Sequence, residues 1–179
     1  MNQMTLRPAT LSDRALIRSI SERTWPSTYG HIISQEQINF MLDWMYSDDS
    51  LATQMNTGCT FYIANLNGAD IGFCSVSPDD EKVEEENNST EKTEGAKAHK
   101  LNKLYVLPSA QGTGAGKALL NQAIAVAKAA GSSSIFLQVN KNNNAYSFYL
   151  KQGFIKEAEF KFDIGNGFYM DDYVLRLTF

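Results

Sequence analysis

Three glycines alternate at positions 112, 114 and 116 of the stretch Leu104-Tyr105-Val106-Leu107-Pro108-Ser109-Ala110-Gln111-Gly112-Thr113-Gly114-Ala115-Gly116-Lys117. An apolar run leads into them, and an Ala- and Leu-rich run closed by Gly131 leads away. The pattern predicts a strand, a glycine turn and a helix over Gly114 to Ala130. Glycines let a backbone come close to a ligand because no Cβ intervenes. The helix start adds unpaired N–H groups and the positive end of the dipole. A diphosphate is the natural occupant of such a turn.

Two phosphate-binding fingerprints fail on named residues. A P-loop needs Gly where Gln111 stands and Ser or Thr after Lys117, where the chain has Ala118, so magnesium would lack its hydroxyl ligand. A dinucleotide loop needs G-x-G-x-x-G soon after the first strand of a βαβ unit. Here the spacing is G-x-G-x-G, past the middle of the chain.

A second group follows one predicted helix and one predicted strand later. It reads Asn142-Asn143-Asn144-Ala145-Tyr146-Ser147-Phe148-Tyr149, then Gly153-Phe154. An aromatic pair on an Ala-containing helix is often plain core. Tyr149, however, carries a hydroxyl that needs a partner when buried.

Together these segments resemble the GNAT superfamily of N-acetyltransferases. Gln111 to Gly116 matches the family's acetyl-CoA loop, Q/R-x-x-G-x-G/A. The second group matches its N-x-x-A-x-x-F-Y-x-x-x-G-F segment. The resemblance implies direct acetyl transfer from acetyl-CoA to an amine, with no metal. It implies that Leu104, Tyr105 and Val106 present backbone groups to the pantetheine arm and acetyl carbonyl. Gln111, Gly112, Thr113, Gly114, Ala115, Gly116 and Lys117 would hold the diphosphate, and Asn142 would contact the pantetheine. Tyr149 would be the general acid for the departing thiolate.

The ends of the chain add a weaker likeness. Thr24 to Tyr29, then Glu36 and Phe40, are similar to the first-helix region of bacterial polyamine-type acetyltransferases, and Met170 to Leu175 to their last strand. Tyr29, Glu36 and Asp171, with Asp172, would then face a cationic acceptor. The acids are equally readable as solvated surface charges. The general base stays unassigned. Lys100-Leu101-Asn102-Lys103 holds no acid, His99 reads as a surface residue, and a water relay through Asn102 and backbone carbonyls is an alternative. A protein N-terminal or lysine acetyltransferase, and a non-catalytic acyl-CoA-binding module, are the rival functions.

These residues need a scaffold. Thr5 to Pro8 reads as a strand. Thr10, with Asp13 three residues on, caps a first helix that should end before Pro26. Ser34 starts a second helix, and a helical turn runs from Asp49 to Met55. Thr60 to Leu66 and Asp70 to Val76 form a hairpin around Asn67-Gly68. Strands follow at Leu101 to Leu107 and Ser134 to Val139, a helix at Asn143 to Gln152, and a last strand pair from Phe154 to Asp163 and Phe168 to Leu177. The order predicts an α/β chain. By resemblance it is a GNAT fold: a central, mixed, V-splayed sheet of about seven strands with helices on both faces.

Composition sets the frame. The chain's 179 residues suit one domain, 1–179. Two cysteines are no disulfide framework, and two histidines form no metal-ligand spacing. Asp79 to Lys97 carries eight acids and three lysines, a net of −5 against −4 for the whole chain, so the acidity is local, in what reads as a flexible loop. No basic face points to nucleic acid. Met1 to Arg7 has no apolar signal-peptide core, and no apolar run of membrane-spanning length appears, so a cytoplasmic enzyme is expected. Its partner should be a small-molecule or peptide amine, and a homodimer is compatible with the sequence.

Overall fold

A computed structural model describes residues 3–79 and 97–179. The element order is β1 (Met4–Pro8), α1 (Arg14–Tyr29), α2 (Gln35–Tyr46), α3 (Asp48–Asn56), β2 (Thr60–Leu66), β3 (Ala69–Asp79), β4 (Ala98–Val106), α4 (Ala115–Ala129), β5 (Ser134–Asn140), α5 (Ala145–Lys151), β6 (Ile155–Gly165) and β7 (Phe168–Thr178). The reading of residues 79–97 as a flexible loop lies almost entirely outside the described residues.

Local signals start the helices. Thr10 and Asp13 form a reciprocal capping box on a short 3-10 turn that leads into α1. Ser34 caps α2 through the Gln37 N–H, and Ser47 caps α3 through the Ser50 N–H. Asn67 and Gly68 both have positive φ and join β2 to β3, as the hairpin signal predicts.

One boundary differs. α1 does not end before Pro26 but runs on to Tyr29. Proline inside a helix removes a donor and costs about 3 kcal/mol. The offset is tertiary. Trp25 is 1% exposed, and burying so large a side chain returns several kcal/mol, on the order of 25 cal/mol per Å². The extra turn also delivers Tyr29 to the sheet.

The seven strands form one sheet in the order β1-β2-β3-β4-β5-β7-β6, antiparallel except at β4 and β5. Those two run parallel and pair only from Ala98↔Ser134 to Leu101↔Leu137. Beyond that point β4 stays with β3 as far as Val106, while β5 stays with β7 as far as Asn140↔Asp172. The sheet therefore opens in a V between the two strands.

Neighbouring residues on β4 show which helices cover which face. Leu104 reaches Gly116 of α4, and Tyr105 stacks near Trp25 of α1. Side chains alternate across a strand, so α4 lies on one face and α1 on the other. A continuous core joins them through Phe73, Leu119, Ile135 and Leu175.

Candidate active site

The V between β4 and β5 is the centre of the site. Leu107 donates its N–H to the Ile71 carbonyl, so on β4 the residues of that parity bond to β3. The alternation of an antiparallel ladder then turns the backbone groups of Leu104 and Val106 toward the opening. These are unpaired strand groups within reach of a ligand.

A groove of about 470 Å³ runs from this edge to the start of α4, lined by Leu104, Tyr105, Val106, Gln111, Gly116 and Phe148 among others. The glycine turn is built to leave it open. Gly112 and Gly114 have φ of +79° and +88°, a region other residues rarely adopt. The Thr113 hydroxyl donates to the Ala110 carbonyl at 2.6 Å and fixes the turn. Gly114 is the N-cap of α4, so the N–H groups of Ala115, Gly116 and Lys117 have no acceptor within the helix. A Cβ on Gly116 would stand 3.9 Å from Leu104 and Phe148, at the groove wall. An anionic head at the helix start and an extended arm along β4 fit this shape. The Ala115 side chain is buried beneath the turn, and the Lys117 side chain points to solvent.

On the opposite side of the V lies a second cavity of about 280 Å³. Its wall carries Trp25 and Tyr29 from α1, Met41 and Trp44 from α2, Lys100, Asn102, Lys103 and Tyr105 from β4, and Asp172 from β7. A narrow passage of about 50 Å³, lined by Tyr29, Asn102, Lys103, Leu104, Asn143 and Tyr149 among others, sits in the V between the larger spaces.

Tyr149 comes to this passage on α5. Its ring packs edge-on against Phe148 and Phe154, and its hydroxyl has no hydrogen-bond partner among the described residues. Burial holds the phenol well above its usual range, so it stays protonated at neutral pH. Tyr29 and Tyr105 share a 2.9 Å hydrogen bond between their hydroxyls. Burial raises Tyr29 to about 12, despite its bond to Tyr105.

The acids separate. Asp172 is 3% exposed and lines the cavity. Burial raises it to about 6, helped by Asp171 and opposed by Lys100. Asp171 instead pairs with Lys141 at 2.9 Å, and Glu36 is exposed and lines none of the three spaces. Asn142 is likewise exposed, with its N–H on the Asn140 side chain at 2.9 Å. Asn143 is the residue that lines the groove and the passage. His99 is a correction. It is 5% exposed within β4, with Nδ1 2.7 Å from the Ser132 hydroxyl, because β4 begins three residues earlier than hydrophobicity predicts.

Lys100 and Lys103 were seen in the sequence only as the place where an acid was missing. Lys103 donates to Gln54 Oε1 at 2.6 Å and stands 5.5 Å from the Tyr46 ring centre. Burial lowers it to about 8. Two lysines on a central strand, where apolar residues are the rule, were the available signal.

The sequence profile of the Acetyltransferase (GNAT) family matches residues 16–154. The chain belongs to this family. Among its relatives, an uncharacterised N-acetyltransferase of Mycobacterium tuberculosis is 28% identical over 168 residues, 92% of this chain and 97% of that one. A spermidine N(1)-acetyltransferase of Thermoplasma acidophilum is 26% identical over 155 residues, 83% of this chain and 86% of that one. The fold also matches the crystal structure of a PaiA N-acetyltransferase from Thermoplasma acidophilum in complex with coenzyme A, with a TM-score of 0.75, 23% identity and 99% of each chain covered. This GNAT protein is an acetyl-CoA-dependent N-acetyltransferase. No helix is long and apolar enough to cross a membrane, and no cluster able to hold a metal ion occurs among the described residues.

Proposed function

We propose that this enzyme acetylates a primary amine by direct transfer, with Tyr149 as general acid and Asp172 as the first proton acceptor. Acetyl-CoA supplies the acetyl thioester. The observation that carries the reading is the position of Tyr149. Tyr149, its hydroxyl unpartnered among the described residues, lines the narrow passage, whose wall shares residues with both the groove and the larger cavity.

The chain's residues divide the work. The α4 start and the glycine turn take the diphosphate, and the exposed backbone edge of β4 takes the arm. Asn143 is better placed for the arm than Asn142. An alkyl ammonium near pKa ~10 must lose a proton before its nitrogen can attack. Asp172, held near 6, is ionised at neutral pH and lines the acceptor cavity. As the N–C bond forms and the C–S bond breaks, a β4 backbone N–H meets the charge growing on the carbonyl oxygen. Tyr149 gives its proton to the sulfur, and the second ammonium proton restores it. The acceptor ends as an amide and the thiolate as a thiol.

The test is Tyr149→Phe, followed by thiol release from acetyl-CoA with an amine panel. The hydroxyl acts only as the thiolate leaves, so kcat should fall by roughly 10²–10⁴ with KM for acetyl-CoA little changed. A wild-type kcat would reduce Tyr149 to packing. Transfer to no amine at all, with acetyl-CoA still bound, would favour a binding module.

A further inference from the structure

The acceptor cavity holds three charged side chains, Lys100, Lys103 and Asp172. Two cations against one carboxylate is the reverse of what a polyamine requires. Neither lysine has a carboxylate within ion-pair distance among the described residues. Lys100 donates to Gln138 Oε1 at 3.0 Å and Lys103 to Gln54 Oε1 at 2.6 Å, both neutral amides. Lys100 acts on Asp172 through charge, but the Lys103 ammonium is held in a partly buried wall with no carboxylate at ion-pair distance, which is costly. The lowered value of Lys103 is the expression of that cost. An anion would satisfy both.

Position narrows the anion's carrier. Lys103 lines both the cavity and the passage beside Tyr149. A negative group bound by Lys103 is therefore close to the nitrogen that must enter the passage. An α-amino acid has this arrangement, with its carboxylate two bonds from its amine-bearing carbon's nitrogen. Part of the wall is soft and apolar, with Met41, Trp44, Met45, Tyr169 and Met170, beside the amides of Gln37, Asn102, Gln138 and Asn140. Methionine and aromatic side chains suit an apolar body of variable shape.

We infer that the acceptor is a free α-amino acid with an apolar side chain: its amine faces the passage, its carboxylate meets Lys103 and Lys100, and its side chain lies on the methionine and aromatic wall. This rests on the acetyl-transfer reading above. The product is the N-acetyl amino acid, and the atoms balance as in that transfer.

The test compares matched acceptors on the whole enzyme: L-leucine against L-leucinamide, L-phenylalanine against L-phenylalaninamide, and spermidine. A site built around a charged hydrogen bond rejects the analogue lacking it. The free acids should be preferred over the amides by about tenfold or more in kcat/KM, since bonds to charged groups are the stronger class. Lys103→Met should collapse that ratio toward one through KM for the acid, and Lys103→Arg should keep it. Lys100→Met should lower it as a second, separate probe. Preference for the amides or for spermidine in the wild type would overturn this assignment and leave acetyl transfer standing. Silence with every amine would overturn both.

Discussion

The hydroxyls of Tyr29 and Tyr105 meet at 2.9 Å and tie the last turn of α1 to the central strand β4. Both residues line the cavity of about 280 Å³ and the passage beside Tyr149. Trp25, one turn before Tyr29, packs against both rings at 4.5 and 5.9 Å. This wall of the cavity is thus fixed by a helix that continues through Pro26.

Tyr29→Phe keeps the ring and removes the bond, leaving the Tyr105 hydroxyl short of a partner. A buried group left unpaired costs about 1–3 kcal/mol. The urea midpoint should fall accordingly, and kcat/KM for the acceptor should fall with it. An unchanged midpoint would mean that the bond does not form in solution.

Asp172 makes a prediction about pH. In the proposed reaction its ionised form accepts the proton, and burial pushes it up to about 6. Acceptor kcat/KM should therefore rise with pH through about 6, and Asp172→Asn should lose that limb along with roughly 10²–10⁴ in rate. The stability effect has the opposite sign. A carboxyl raised from 3.8 in the unfolded chain holds its proton more tightly when folded, so its contribution is present below about 4 and lost as pH rises through about 6. Denaturation at pH 5 and pH 8 should show Asp172→Asn gaining on the wild type at the higher pH. An identical stability profile in both proteins would remove Asp172 from the buried wall.

Gly116→Leu tests the groove. The first added carbon would meet Leu104 and Phe148 at an ordinary 3.9 Å, and leucine is a better helix former than glycine by about 1 kcal/mol. The fold should hold while the longer side chain fills the groove. Acetyl-CoA affinity measured by calorimetry should drop at least about tenfold, or 1.4 kcal/mol. Full affinity in a folded variant would place the co-substrate elsewhere.

Asp79 and Ala98 are paired across β3 and β4. Two adjacent antiparallel ends can be closed by a two-residue turn. Replacing residues 80–97 with Asn-Gly should leave acetyl-CoA binding intact and the urea midpoint equal or higher, because a shorter loop costs slightly less to close. Unfolding of this variant would show that the acidic stretch belongs to the domain's core structure.

The sequence by itself determined the scaffold and the conformation of the glycine turn. Capping residues, the Asn67-Gly68 turn and the glycine turn at 112–116 act over three or four neighbours, so their physics is local and readable in order. The helix that carries Tyr149 was legible for the same reason, through a motif within one element. The acceptor side was decided by tertiary structure. Asp171 and Asp172 are adjacent in the chain, yet strand alternation sends one to Lys141 and the other into the cavity. Asn142 and Asn143 part in the same way between solvent and groove. Lys100 and Lys103 gain their meaning from where β5 leaves β4 after Leu101, a divergence between strands more than thirty residues apart. Helix α1 crosses Pro26 because burying Trp25 against the sheet outweighs a local preference. Burial, pairing and charge depend on what the fold brings near, and no neighbour in the sequence reports it.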